Sequence, residues 1–252
     1  FEVSTPKEYA EETNRRRKKT ETEFKFNKNY VPRSLVYNVL MGEGIKPFSA
    51  EQNHQAVLPI ENGEFIFKQQ INGNGYVFVL KEKFKENVAT IDLYEKYEVL
   101  FNKIEKDWEK HRGEKFSLEG KASAKMSAWE RLNYGNGLLS QKPNQKYVVA
   151  YNENGQTIRS AVLETPTNII VDTSAYYAYF DNKGEAYYIS GILNSNTLLK
   201  VLKTTGILTE RNIHKKPFEV PIPKFDPNNE LHIKIATLSE KISKEPESER
   251  AT

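Results

Sequence analysis

Two groups of cations are spaced closely enough to hold phosphate. Arg15, Arg16, Arg17, Lys18 and Lys19 form one uninterrupted run. Lys200, Lys203, Arg211, Lys215, Lys216 and Lys224 form a second region, opposed only by Glu210 and Glu219. A polyanion meeting such clusters gains affinity by releasing its counterions. The formal net charge is only +3, so the distribution of charge carries this argument and its sum does not. A solvated surface or a loose terminus is the plain alternative for either group. Tyrosine accompanies the second: of 14 in the chain, Tyr134, Tyr147, Tyr151, Tyr176, Tyr177 and Tyr179 gather in the second half. Rings beside cations can stack on exposed bases, and Asn or Gln can read adenine edges. Strand tyrosines also pack across a sheet for purely structural reasons.

Other chemistries find no matching pattern. His54, His111, His214 and His232 stand apart, none at a ligand spacing from another, so no metal site is expected. Gly73-Asn74-Gly75 and Gly135-Asn136-Gly137 do not continue into a phosphate loop or a dinucleotide fingerprint, and turns explain them more simply. No serine sits in GxSxG, and carboxylates are too numerous to single out an acid/base pair. The chain is long enough for a small enzyme and carries no catalytic signature.

The elements that must position these residues change character along the chain. Residues 1–29 are charged and poor in aliphatic residues, as in a connector. Residues 30–127 are expected to form a β-rich subdomain. Within it, Glu64–Lys68 and Tyr76–Leu80 flank Asn72-Gly73-Asn74-Gly75 and predict a hairpin. Leu93, Tyr94, Tyr97, Leu100, Phe101, Ile104 and Trp108 fall at helical spacing and predict a long amphipathic helix over about 90–110. Residues 111–127 have the composition of a linker.

Residues 128–252 read as an α+β subdomain. Tyr147–Tyr151 and Thr157–Leu163 make a second hairpin around Asn152–Gly155, and Asn168–Asp172 and Ala175–Phe180 extend its sheet. A helix starts near Glu185, Ser195 caps the next, and Asp226-Pro227 is placed to start the last. The fold class expected is therefore α+β, with mainly antiparallel sheets and helices toward the C-terminus.

Composition narrows the setting. No apolar run approaches the roughly 18 residues of a membrane helix, so a soluble protein without a membrane partner is expected. Cysteine is absent, which excludes disulfides, thiolate zinc sites and cysteine nucleophiles and fits a reducing cytoplasm. The chain has no secretory leader and opens on Phe1, as expected of a piece of a longer protein.

One ordered series of motifs is more specific. It runs from Leu138-Leu139-Ser140-Gln141-Lys142-Pro143 through Val148-Val149-Ala150-Tyr151-Asn152 and Ser160-Ala161-Val162 to Ala175-Tyr176-Tyr177. It continues in Glu185-Ala186-Tyr187-Tyr188 with Leu193-Asn194-Ser195, then Arg211-Asn212-Ile213-His214-Lys215-Lys216-Pro217, Pro221-Ile222-Pro223, Phe225-Asp226 and His232. This series resembles the C-terminal target-recognition region of large N6-adenine DNA methyltransferases, the type IIG class with its TaqI-like specificity domain. It is more distantly similar to type I specificity subunits. The resemblance covers roughly the last 100 residues; Phe24–Ile60 is faintly similar to the preceding segment, and residues 61–130 match nothing. Enzymes of that family need an FxGxG cofactor loop and a [DNS]PP[YFW] tetrapeptide, and this chain has neither.

The resemblance implies a restriction–modification specificity domain that binds double-stranded DNA and is not catalytic alone. S-adenosylmethionine would be bound, and the methyl group transferred, by a catalytic domain of the same parent chain N-terminal to Phe1; no cofactor is expected in this chain. The parent could also cleave DNA. Arg211, Lys215 and Lys216 are the expected phosphate contacts, with Lys142, Arg16 and Arg17 behind them. Asn136, Gln141 and Arg159 are the expected base-edge contacts. Asn194, Ser195 and His214 read equally as a helix cap and a packed turn. A protein-interaction or scaffold module remains the alternative, and a nuclease with dispersed carboxylates the more distant one.

Overall fold

The protein is described by a computed structural model that covers residues 2–3, 29–30, 33–52, 54–72, 75–85, 99–106, 126–164, 168–209 and 211–246. Its class is α+β. Strands β1 (Glu2–Val3) and β2 (Asn29–Tyr30) pair with each other antiparallel. Next come β3 (Val36–Leu40), β4 (Ile45–Lys46), β5 (Ser49–Ala50), β6 (His54–Val57), β7 (Ile60–Glu61), β8 (Glu64–Phe65), β9 (Phe67–Asn72) and β10 (Gly75–Leu80). Helices α1 (Glu82–Lys85), α2 (residues 99–106) and α3 (Ala128–Leu132) follow. The second half holds β11 (Tyr147–Asn152), β12 (Ser160–Glu164), β13 (Ile169–Val171), β14 (Ala175–Phe180), α4 (Lys183–Leu193), α5 (Asn196–Thr204) and α6 (Glu230–Lys244).

The first hairpin is β9–β10, with Phe67 opposite Leu80. Glu64 and Phe65 do not belong to it. They pair with β7 around Asn62 and Gly63, whose φ angles of 52° and 77° give the tight turn that Asn-Gly favours. Phe65, Phe67, Phe78, Phe101 and Trp129 meet as a cluster of rings 4.9–6.3 Å apart. That cluster is the core of this half. Of the long helix expected over 90–110, residues 99–106 are helical with Phe101 buried; the remainder lies outside the described residues. Ser127 ends the expected linker as the cap of α3. Its hydroxyl accepts from Glu130 N at 3.1 Å, while Glu130 Oε2 accepts from Ser127 N at 2.7 Å.

In the second half β11 is the central strand of an antiparallel sheet ordered β12-β11-β14. All six of its residues are buried, because both of its faces are covered. Tyr147, Val149 and Tyr151 meet residues of α4 and α5; Val148 and Ala150 meet Leu40, Ile45, Ile169 and Val171. The latter group belongs mainly to a second sheet, ordered β13-β3-β6. Strand β13 thus leaves the sheet it was expected to extend and pairs parallel to β3, with Ile169 opposite Asn38. Sequence periodicity marks a strand but not its partner. The pairing and the shared core both cross the expected boundary at 127/128. Between β3 and β4 the chain passes so close to the β13–β14 turn that a Cβ on Gly42 would lie 2.1 Å from Ser174 O.

The helices close the other face. Helix α4 starts at Lys183, two residues before Glu185, with Asn182 Oδ1 accepting from Glu185 N. Gly191 lets α6 approach α4, since a Cβ there would meet Ile235 at 3.0 Å. The cap of α6 is Asn229, whose Oδ1 accepts from Leu231 N and His232 N. Asp226 instead caps a turn through Asn228 N, and its own N–H donates to His232 Nδ1 at 3.0 Å. An Asx turn competes with a helix cap for the same carboxylate, and here the turn takes it.

Candidate nucleic-acid interface

The strongest local framework in the second half is the turn at the end of β11. Asn152 is buried and directs its amide inward: Nδ2 donates to Asn154 O at 2.8 Å and Thr157 O at 3.1 Å, and Oδ1 accepts from Arg159 N at 2.8 Å. This turn grips the segment 211–216. Gly155 N donates to Arg211 O at 2.7 Å, and Ile213 N and His214 N both donate to Glu153 O. Asn154 and Asn212 form a bridge between the two stretches. A loop held by so many backbone bonds presents its side chains from a fixed base.

Arg211, Lys215 and Lys216 therefore stand together, Arg211 and Lys215 exposed and Lys216 half-buried. His214 between them has φ +45°, a conformation that costs a non-glycine residue about 1–2 kcal/mol. It is held there at both ends. Its N–H donates to Glu153 O, and its carbonyl accepts from the Tyr151 hydroxyl at 2.9 Å. Its Nδ1 lies 3.3 Å from Tyr176 Oη and 3.3 Å from Glu153 Oε1.

Beside this segment lies a cavity of about 250 Å³, lined by Tyr151, Tyr176, Phe180, Ile189, Lys215 and Phe218 among others. Helix α4 packs over β11 and β12 more than over β14, and Tyr176 and Phe180 on that face of the edge strand are only half-buried. Tyr151 and Tyr176 are opposite each other in register and stack at 5.4 Å, with 16° between their planes. Phe218 stands edge-on to Tyr151 at 5.9 Å and is 50% exposed. Burial, and then the neighbouring Tyr176, push the Tyr151 phenol well above its ordinary range, so it stays a neutral donor.

The other expected contacts are distributed differently. Arg159 sits at the same end of β11, its guanidinium 3.5 Å from Gly42 O. Lys142 is exposed on the opposite face of the sheet: its N–H donates to the Tyr179 hydroxyl at 2.7 Å and its Nζ lies 5.8 Å over that ring. Tyr176 and Tyr179 are roughly 10 Å apart along the strand. Asn136 is exposed at φ +61°, next to a second cavity of about 420 Å³ bounded by Trp129 and Tyr134. Gln141 is buried with both amide N–H groups donated internally, to Gly137 O and Val171 O. That is a correction to its expected role, since it keeps no donor for a base edge. Arg16 and Arg17 lie outside the described residues.

Asn194 resolves to the structural alternative. Its amide accepts from Ser160 N and donates to Ser160 O, and Ser195 caps α5 through Leu198 N. Phe218 and the edge-strand cavity were not among the sequence candidates. The signal for Phe218 was its place directly after Lys215-Lys216-Pro217. No group of three or more His, Cys, Asp or Glu capable of holding a metal occurs among the described residues. No family model matches the chain, and no curated protein matches it. Among the described residues no helix is long and apolar enough to cross a membrane.

Proposed function

We propose that this chain is the DNA-recognition region of an adenine-N6 DNA methyltransferase of a restriction–modification system, acting in the cytoplasm. It holds duplex DNA for a catalytic domain elsewhere in the parent chain, where S-adenosylmethionine is bound. The observation that supports this reading is the fixed trio of Arg211, Lys215 and Lys216, braced on the Asn152–Gly155 turn beside an aromatic cavity. Cations on a rigid base position a duplex through its phosphates without having to order themselves first. Arg159, at the same end of β11, is the base-edge candidate this reading keeps. Fluorescence anisotropy with a random-sequence duplex at about 50 and about 200 mM salt tests the reading. Binding that weakens steeply with salt and is lost when the three cations are removed supports it; no binding by the folded chain at low salt overturns it.

A protein-interaction module is the second reading. It is favoured by α6, where Leu231 and Leu238, two turns apart on one side of the helix, are exposed.

A further inference from the structure

The cavity beside Lys215 has a shape and chemistry that phosphate binding leaves unused. Its lining includes the stacked pair Tyr151 and Tyr176, together with Phe180, Ile189, the half-exposed Phe218 and the exposed Lys215. About 250 Å³ falls below the roughly 300–1,000 Å³ of sites that take drug-sized ligands, so it has room for one ring system. A flat group entering beside Phe218 would carry any attached anion past Lys215, with Lys216 next along the same braced turn. Aromatic lining with a cation at the mouth is the arrangement that binds a single nucleotide: the ring stacks and the phosphate pairs.

The exposure of Phe218 points the same way. A phenyl ring left half in water while edge-on to a buried tyrosine gains little by its position in the free protein. It gains more when a second flat surface covers it. The Tyr176 hydroxyl pairs with His214 Nδ1 at 3.3 Å and keeps a further lone pair for a donor on an entering ring.

We infer that this cavity takes one unstacked nucleobase of the bound DNA, with its phosphate on Lys215. The inference rests on the DNA-recognition reading but makes a separate demand, since a fully paired duplex offers no free base. The test compares two duplexes of one sequence, fully paired and with a single unpaired nucleotide, for the wild-type chain and for Phe218→Ala and Lys215→Ala. Base–aromatic stacking is commonly worth a factor of about 10 in Kd. The expected result is a preference of about that size for the duplex with the unpaired base, abolished by Phe218→Ala while affinity for the paired duplex stays the same. Lys215→Ala should weaken both duplexes, and the unpaired one more.

A preference that survives Phe218→Ala reflects duplex flexibility and overturns the inference, as does the absence of any preference. In either case salt-sensitive binding to the paired duplex would leave the recognition reading standing. Failure to bind either duplex overturns both. Phe218 is half exposed, so its truncation spares the core, and an unchanged unfolding midpoint confirms that the variant is folded.

Discussion

Gln141 treats Val171 as a strand would: its Oε1 accepts from Val171 N at 2.8 Å and its Nε2 donates to Val171 O at 2.9 Å. One side chain supplies both hydrogen bonds of a missing neighbour on the edge of the β13–β3–β6 sheet. Asn194 does the same for Ser160 on the β12 side. Truncation of Gln141 would leave a buried N–H and a buried C=O without partners, at a cost of about 1–3 kcal/mol for each. Gln141→Ala should therefore lower the urea midpoint clearly, while the folded fraction binds DNA as the wild type does. Weakened DNA binding by fully folded Gln141→Ala would restore this residue to the interface.

Gly155 joins the basic segment to the sheet at φ +147°, and a Cβ there would lie 2.9 Å from Asn152 Nδ2. Gly155→Ala forces that amide off its two carbonyls and strains the backbone. A loss of about 1–2 kcal/mol is expected, or roughly 2–4 °C in Tm for each kcal/mol. DNA affinity should fall with it, because the base that orients Arg211 is disturbed. An unchanged Tm and affinity would mean that the turn is not the brace described.

Charge removal gives a slope as well as an affinity. Each B-DNA phosphate that the protein ceases to neutralise reduces the dependence of log K on log salt by about 0.9. Arg211→Ala, Lys215→Ala and Lys216→Ala should each release close to one phosphate, whereas Lys142→Ala, on the opposite face, should leave the slope unchanged. Equal effects from all four would mean that phosphate binding is not confined to one face.

The two ends of the pH range test the α4–α6 contact. Lys244 and Lys183 hold the Glu240 carboxyl below its ordinary 4.5. A lowered native pKa adds stability that is present above pH 4.5 and lost as pH falls through the folded value, so acid should loosen this contact and Glu240→Gln should flatten the slope there. At the alkaline end, burial, with Glu164 accepting its proton at 2.6 Å, pushes the Tyr187 phenol up to about 12. Its stabilising effect is complete below pH 10 and disappears as pH rises toward 12, and Tyr187→Phe should remove that component. Urea midpoints across both ranges check each sign.

The parts of the fold that were legible in the sequence are local ones. Asn-Gly turns between β-prone runs announce both long hairpins, and Ser195 caps its helix as its type suggests. Ser127 and Glu130 carry a capping-box spacing that outweighs the linker composition before it. What local pattern cannot supply is partnership. Ile169–Val171 reads as a strand wherever it pairs, and Gln141 has the same side chain whether it meets an adenine or Val171. The cations were legible as a group because they are close together in the chain. The cavity was not, since Tyr151, Tyr176 and Phe218 come from three separate stretches and become neighbours only through register.

The parallel pairing of β13 with β3 has a consequence in time. Asn168 Nδ2 and Val36 O meet at 3.5 Å across 132 residues of chain. Closing so long a loop is entropically costly and must precede the contacts that repay it, which slows folding. On a ribosome β3 would wait, unpaired along this edge, until β13 had been made. A nascent or truncated chain ending before residue 169 should therefore keep the apolar side of β3 open to chaperones and proteases, and the two halves should be gained or lost as one cooperative unit.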